Sequence, residues 1–213
     1  LNGHSRIKWC GLIDHSNYHD FHQPIESILR RGAIPVSLGG DHSISYPILK
    51  GMQKKYPALS ILHFDAHGDL YDELDGNPYS HACPFARIME NGYAQQLTQV
   101  GIRTLTQHQA EQAEKFGVTV NTMNQRNQLK GLELTGPVYL SFDLDVLDPA
   151  FAPGVSHHEP GGYSTREVLD ILQSLALDIV GMDLVEYNPR RDLNGGTGMV
   201  AAKILKELLA KLL

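Results

Sequence analysis

Asp65-Ala66-His67-Gly68-Asp69 sets three side chains able to hold a metal at alternate positions. In extended backbone, residues i, i+2 and i+4 point the same way. Asp65, His67 and Asp69 therefore converge on one small volume. Two carboxylates and an imidazole facing one point repel and lose solvation unless a cation sits between them, and a divalent metal is the simplest such cation. The pattern recurs twice. Ser141-Phe142-Asp143-Leu144-Asp145 follows an apolar run (Val138, Leu140, Phe142), and Gly39-Gly40-Asp41-His42 closes another (Ile34, Val36, Leu38).

These ligands need strands to deliver them. Apolar strand-like runs alternate with amphipathic helical patterns along the chain, which predicts an α/β fold with a mainly parallel sheet. Strands are expected over Ile34–Leu38, Leu59–Phe64, Gln99–Ile102, Val138–Phe142 and Ile179–Val185, with a short one over Val118–Val120. Helices are expected over Phe21–Arg31, Ser43–Lys55 with Ser43 as its cap, Pro84–Asn91, Thr106–Phe116, Ser164–Leu175 and Gly198–Leu213. Ser164 and Glu167 form a capping box. Asn121–Gly136 reads as loop or weak helix. Asp148–Gly162 is a long loop of the kind that often carries function. In an open α/β sheet the site lies outside the carboxyl ends of the strands, where His42, Asp65, His67, Asp69, Asp143 and Asp145 would meet.

Four carboxylates and two imidazoles exceed what one ion needs if it is to keep water for chemistry. Two ions sharing a carboxylate use them all. The oxygen-rich set without cysteine favours Mn²⁺ over a structural zinc. Two metals about 3.5–4 Å apart can activate a shared water, so hydrolysis is the expected reaction class.

Bulk properties narrow the rest. The 213 residues suffice for one sizeable core and a single domain. A formal net charge of -6 and the lack of any Lys/Arg run argue against a nucleic-acid partner. No apolar stretch approaches the roughly 20 residues that cross a bilayer, and no membrane partner is expected. The two cysteines, Cys10 and Cys83, form no framework. A reducing cytosol is expected. The first segment holds His4, His15, His19 and His22, read as scattered surface histidines, and the start on Leu1 reads as a chain that begins partway into a larger domain.

The three motifs, in this order, resemble those of the ureohydrolases (arginase, agmatinase and their relatives). Pro149, Pro153, Gly154 and Gly162 continue the third motif as that signature does. Tyr79-Ser80-His81-Ala82, Phe85 to Glu90 and Asp148 to Gly162 look most like plant-type arginases and their bacterial relatives. The resemblance implies a three-layer α/β/α arginase-like fold, and the short start leaves room for an N-terminal strand to be missing. It implies two Mn²⁺ ions, one on His42, Asp65, Asp69 and Asp143, the other on Asp65, His67, Asp143 and Asp145. Asp65 and Asp143 would bridge, and a bridging hydroxide would attack the guanidinium carbon of a small guanidino substrate. Glu186 would hold the guanidinium group through a bidentate carboxylate, His81 would pass a proton to the leaving amine, and Asp69 would hydrogen-bond the nucleophile. Asn77 and Ser80 would bind the substrate tail. Asp183 is a candidate to orient a ligand imidazole. L-Arginine is the expected substrate, with agmatine or another guanidino or formimino compound the alternative. A one-zinc deacetylase and an inactive metal-binding scaffold are the competing readings. Family members form trimers or hexamers, so self-association is expected.

Overall fold

A computed structural model describes residues 5–213. His4 therefore lies outside the described residues. Six strands form one sheet: β1 (Val36–Leu38), β2 (Ser60–Phe64), β3 (Gln96–Ile102), β4 (Thr119–Thr122), β5 (Pro137–Asp143) and β6 (Asp178–Val185). Their order is β1-β6-β5-β2-β3-β4, and every pairing is parallel.

Two helical layers cover the sheet because the strands are apolar on both faces. Leu62, Phe64, Val138, Leu140, Phe142, Met182 and Leu184 share a core with α5 (Thr165–Ser174) and α6 (Gly196–Leu212). Ile61 and Tyr139, from the alternate positions, and Val180, turned to that face by a register shift in β6, pack with α1 (His22–Arg30), α2 (Ser45–Met52), α3 (Pro84–Glu90) and α4 (Gln107–Phe116). The expected three-layer α/β/α architecture is the one found.

From β2 the chain moves outward to β3 and β4; from β5 it moves the other way, to β6. The gap between the carboxyl ends of β2 and β5 is thus a topological switch point, where ligands bind in such sheets. Four adjacent strands, β1, β6, β5 and β2, end there in His42, Glu186, Asp143 and Asp65.

Several boundaries move. Ile34 is 39% exposed and stands outside β1, which is only three residues long. The second helix is not capped by Ser43: Asp41 accepts the Ser43 amide at 3.0 Å and starts a short 3-10 turn, His42–Ile44, that leads into α2. β3 begins three residues before the expected Gln99 and contains a bulge. Gly101 sits in that bulge at φ 100°, where a side chain would strike Val146 and come within 2.9 Å of the Asp65 carbonyl. The segment after Asn121 holds only a 3-10 turn, Met123–Gln125. The capping box of Ser164 and Glu167 is present.

Candidate metal centre

Each strand end turns sharply through its own aspartate. The Asp65 Oδ1 accepts the His67 amide at 2.6 Å, and Asp143 Oδ1 accepts the Asp145 amide at 2.7 Å. These Asx-type turns aim alternate side chains back over the sheet. Asp69 and Glu186 also take left-handed backbone, φ 51° and 65°, two of only four non-glycine residues that do so among those described. Strained backbone of this kind collects at functional sites.

All six expected ligands meet there. His42 Nδ1 lies 3.0 Å from Asp65 Oδ2, 3.2 Å from Asp69 Oδ2 and 3.2 Å from Asp143 Oδ2. His67 Nδ1 lies 3.3 Å from Asp65 Oδ1 and 3.0 Å from Asp145 Oδ2. Asp65 thus turns one oxygen to each imidazole. Asp143 joins the His42 set through its Oδ2, while its other oxygen is engaged by the Asp145 amide.

The donor set asks for cations. Ser141 Oγ donates to Asp183 Oδ1 at 2.7 Å, so it accepts from His42 Nε2 at 2.8 Å. That fixes the proton on Nε2 and, in the neutral ring, aims the Nδ1 lone pair at three carboxylates. Nδ1 is buried and makes no hydrogen bond of acceptable geometry. Either a proton or a metal must sit among these atoms. Without metal, burial works against a charged His42, but Asp143, Asp65 and Asp69 outweigh it and hold the imidazolium well above its ordinary range. Burial likewise opposes charge on His67, yet Asp145 and Asp65 push it up to about 12. The carboxylates complement this: burial and neighbouring charge raise Asp143 and Asp145, and lift Asp69 to about 6. Asp65 alone is driven down, the imidazoles of His63, His42 and His67 outweighing burial. A metal in place of the protons would satisfy the same groups.

Asp183, a candidate from the sequence to orient a ligand imidazole, makes no direct contact with one among the hydrogen bonds of the site. It reaches His42 through Ser141, and it also accepts from Ser45 Oγ at 2.6 Å and Tyr139 OH at 2.7 Å. Ser141 and Asp183 are register partners in adjacent strands, a pairing visible only once the strand order is known.

Glu186 Oε1 accepts the His42 amide at 2.8 Å, and the side chain lines the cleft beside Asp69 and Asp143. Burial raises it to about 7 despite the His42 charge, as fits a carboxylate awaiting a cation. His81 stands at the mouth, lining both this cleft and an outer cavity of about 420 Å³. Burial and His157 lower its affinity for a proton. Asn77 and Ser80 line the outer cavity with Tyr18, His19, Asp41 and Tyr79. His19, read from the sequence as a surface residue, is exposed but forms part of this wall, with its ring edge-on to Tyr79 at 5.0 Å.

Three further residues escaped sequence reading. His63 donates to Asp65 from inside β2 at 2.8 Å, and its position two before Asp65 was a usable signal. His157 stacks on His81 at 5.0 Å, and Glu159 Oε1 approaches His67 Nε2 at 3.8 Å. Both come from a loop without periodicity.

Residues 5–210 match the model of the arginase family. The mitochondrial arginase of Medicago truncatula is 49% identical over 97% of this chain and 64% of its own length. The agmatinase of Bacillus anthracis is 38% identical over 87% of this chain and 66% of its own. The solved arginase from Medicago truncatula superimposes with a TM-score of 0.84 at 48% identity, covering 95% of this chain and 67% of that one. The chain thus spans a little under two thirds of the plant arginases it matches. Several of these relatives are named mitochondrial, and one of Arabidopsis thaliana chloroplastic/mitochondrial. These names overturn the cytosolic expectation. A low cysteine count fits any reducing compartment and does not single out the cytosol.

Proposed function

This chain belongs to the arginase family of metal-dependent hydrolases, and on that premise we propose that it cleaves the guanidinium group of L-arginine to urea and ornithine with two Mn²⁺ ions. The observation that carries the reading is the split of Asp65, one carboxylate oxygen toward His42 and the other toward His67. His42, Asp65, Asp69 and Asp143 would hold one ion; Asp65, His67, Asp143 and Asp145 would hold the other. Two such ions supply the Lewis acidity that brings the pKa of a shared water near neutrality.

The protein's own groups do the rest. Glu186, with one oxygen fixed by the His42 amide, presents the other to the guanidinium N–H groups. The cation in turn relieves the burial that raises this carboxyl. Asp69 lies beside His42 and Glu186 in the cleft, where it can accept a hydrogen bond from the attacking water. His81, at the junction of cleft and outer cavity, is placed to protonate the leaving amine. Asn77 and Ser80 face the cavity that a substrate tail would occupy; Asn77 Oδ1 is engaged by the Tyr79 amide, which leaves its N–H groups for an α-carboxylate. We propose too that the chain self-associates.

Urea release from L-arginine, agmatine and 4-guanidinobutyrate by the Mn²⁺-loaded chain tests the reading. Arginine is expected to be the best substrate. A preference for agmatine would reassign the tail, and no urea from any of the three would reject the function.

A further inference from the structure

One row of register partners crosses the sheet just beneath the metal ligands: Gln99, His63, Ser141, Asp183 and Ser37. Ser141 and Asp183 fix His42, as described. The other half of the row has its own hydrogen-bond chain, and the direction of every bond in it is determined. Gln99 Nε2 lies 2.6 Å from the Gly68 carbonyl, which can only accept, so the amide nitrogen must face it. A flipped amide would set oxygen against oxygen. The same nitrogen lies 3.1 Å from His63 Nδ1, which therefore accepts. The His63 proton is then on Nε2, 2.8 Å from Asp65 Oδ2, and it is donated there.

We propose that His63, held in one tautomer by Gln99, is a positioning residue that aims the shared carboxylate Asp65 at both metal positions; this rests on the metal reading of Asp65. The ring has little freedom to do anything else. It is fully buried, lies 4.0 Å from the Phe85 ring and meets His42 edge-on at 5.0 Å. Its donation goes to the oxygen that faces His42, while the other oxygen of Asp65 is held by the His67 amide. Both torsions of the carboxylate are thereby set before any ion arrives. Gln99 also grips the carbonyl between His67 and Asp69, so one amide couples the Asp65 carboxylate to the loop that carries the neighbouring ligands. The buried Gln99 Oε1 has no partner, which is the cost of keeping both N–H groups on these tasks. His63 also lies near enough to His42 and Asp65 to be weighed as a ligand itself. With Nδ1 occupied by Gln99, binding through Nε2 would require the bond to Asp65 to break.

The test compares His63→Phe, His63→Gln and Gln99→Leu in the full chain. Mn²⁺ dissociation constants are measured by calorimetry, and the ¹⁵N shifts of His63 are recorded in metal-free protein. His63→Phe keeps the bulk but not the donor, and both ions are expected to bind roughly 10–100-fold more weakly. His63→Gln can place an amide N–H near the Nε2 position and is expected to recover most of that loss. Metal-free wild type is expected to show the Nε2–H tautomer, and Gln99→Leu a mixture. Wild-type affinity in His63→Phe, or the Nδ1–H tautomer in wild type, would overturn the proposal. Loss of one whole equivalent of metal in both His63 variants would overturn it too, making His63 a ligand. Should His63→Phe fail to fold, the tautomer and Gln99→Leu still decide. Failure of wild type to bind Mn²⁺ would strike the metal reading instead, and the tautomer result is independent of it.

Discussion

Replacing Asp65 by asparagine changes almost no volume and removes one charge from a side chain that is wholly buried. The consequences follow from the four nitrogen atoms around it, which belong to three histidines. Oδ1 accepts the His67 amide at 2.6 Å and faces His67 Nδ1, while Oδ2 accepts from His63 at 2.8 Å and faces His42 Nδ1. An amide has one oxygen and one NH₂, so one of the two donors, His67 N or His63 Nε2, must meet an NH₂ group. That leaves a buried donor unsatisfied, which costs about 1–3 kcal/mol. The metal loses more. At an effective dielectric near 20, two unit charges 4 Å apart interact by about 4 kcal/mol. A dication doubles that; screening by the site's other carboxylates, relaxation and entering water reduce it to about 2 kcal/mol per ion, a roughly thirtyfold rise in each dissociation constant. The rise should appear at both ions because each imidazole set contains an Asp65 oxygen. Asp69→Asn should weaken only the ion beside His42, and Asp145→Asn only the one beside His67. Calorimetric Mn²⁺ titrations of the three variants separate these patterns. If Asp65→Asn weakened a single ion and left the other at wild-type affinity, the shared role of Asp65 would be refuted.

Metal affinity should depend steeply on pH. Asp69 titrates at about 6 in the metal-free site, so affinity is lost as the pH falls through that value. His42 and His67 are both held protonated and Asp143 is raised beside them, so loading at pH 7 should release at least two protons, one from each ring, measurable by calorimetry in buffers of different ionisation enthalpy. Ser141→Ala strands His42 Nε2–H and one oxygen of Asp183; denaturant unfolding should show a loss of about 1–3 kcal/mol, and unchanged stability would discount the relay. Glu186→Gln replaces a charged partner of the guanidinium by a neutral one; steady-state assays should show KM for arginine raised roughly 10-fold or more with a smaller change in kcat.

Much of this site is written in the chain order because strand periodicity and ligand periodicity are the same. Asp65, His67 and Asp69 alternate as the strand before them does, and Asp143 and Asp145 repeat the device, so their spacing marks them as ligands; their convergence also takes the turns at Asp65 and Asp143 and the pairing of β2 with β5. Glu186 follows a buried apolar strand, but its role was legible only through the resemblance to the ureohydrolases. What escaped depends on partners chosen by topology. Ser141 is an ordinary strand serine until β6 is placed beside β5, which brings Asp183 to it. Gln99 acquires its task only when β3 pairs with β2. His63 shares the alternation of the ligands and was hidden by its apolar neighbours. The stacking of His157 on His81 belongs to a long loop whose path is set by side-chain and backbone contacts, including the Arg103 guanidinium donating to the Glu159 carbonyl at 2.8 Å and to Asp145 O at 2.6 Å. The misread cap has a simpler origin: Asp41 and Ser43 are both good caps, and the aspartate comes first in the chain.

The most direct test of the binuclear hydrolase reading is urea release from L-arginine measured against the equivalents of Mn²⁺ bound per chain. Little urea is expected at one equivalent and full activity as the second fills, since one ion alone would lack the partner needed to activate a shared water. A chain that binds two equivalents and releases no urea, or one that reaches full activity with a single ion, would contradict that reading.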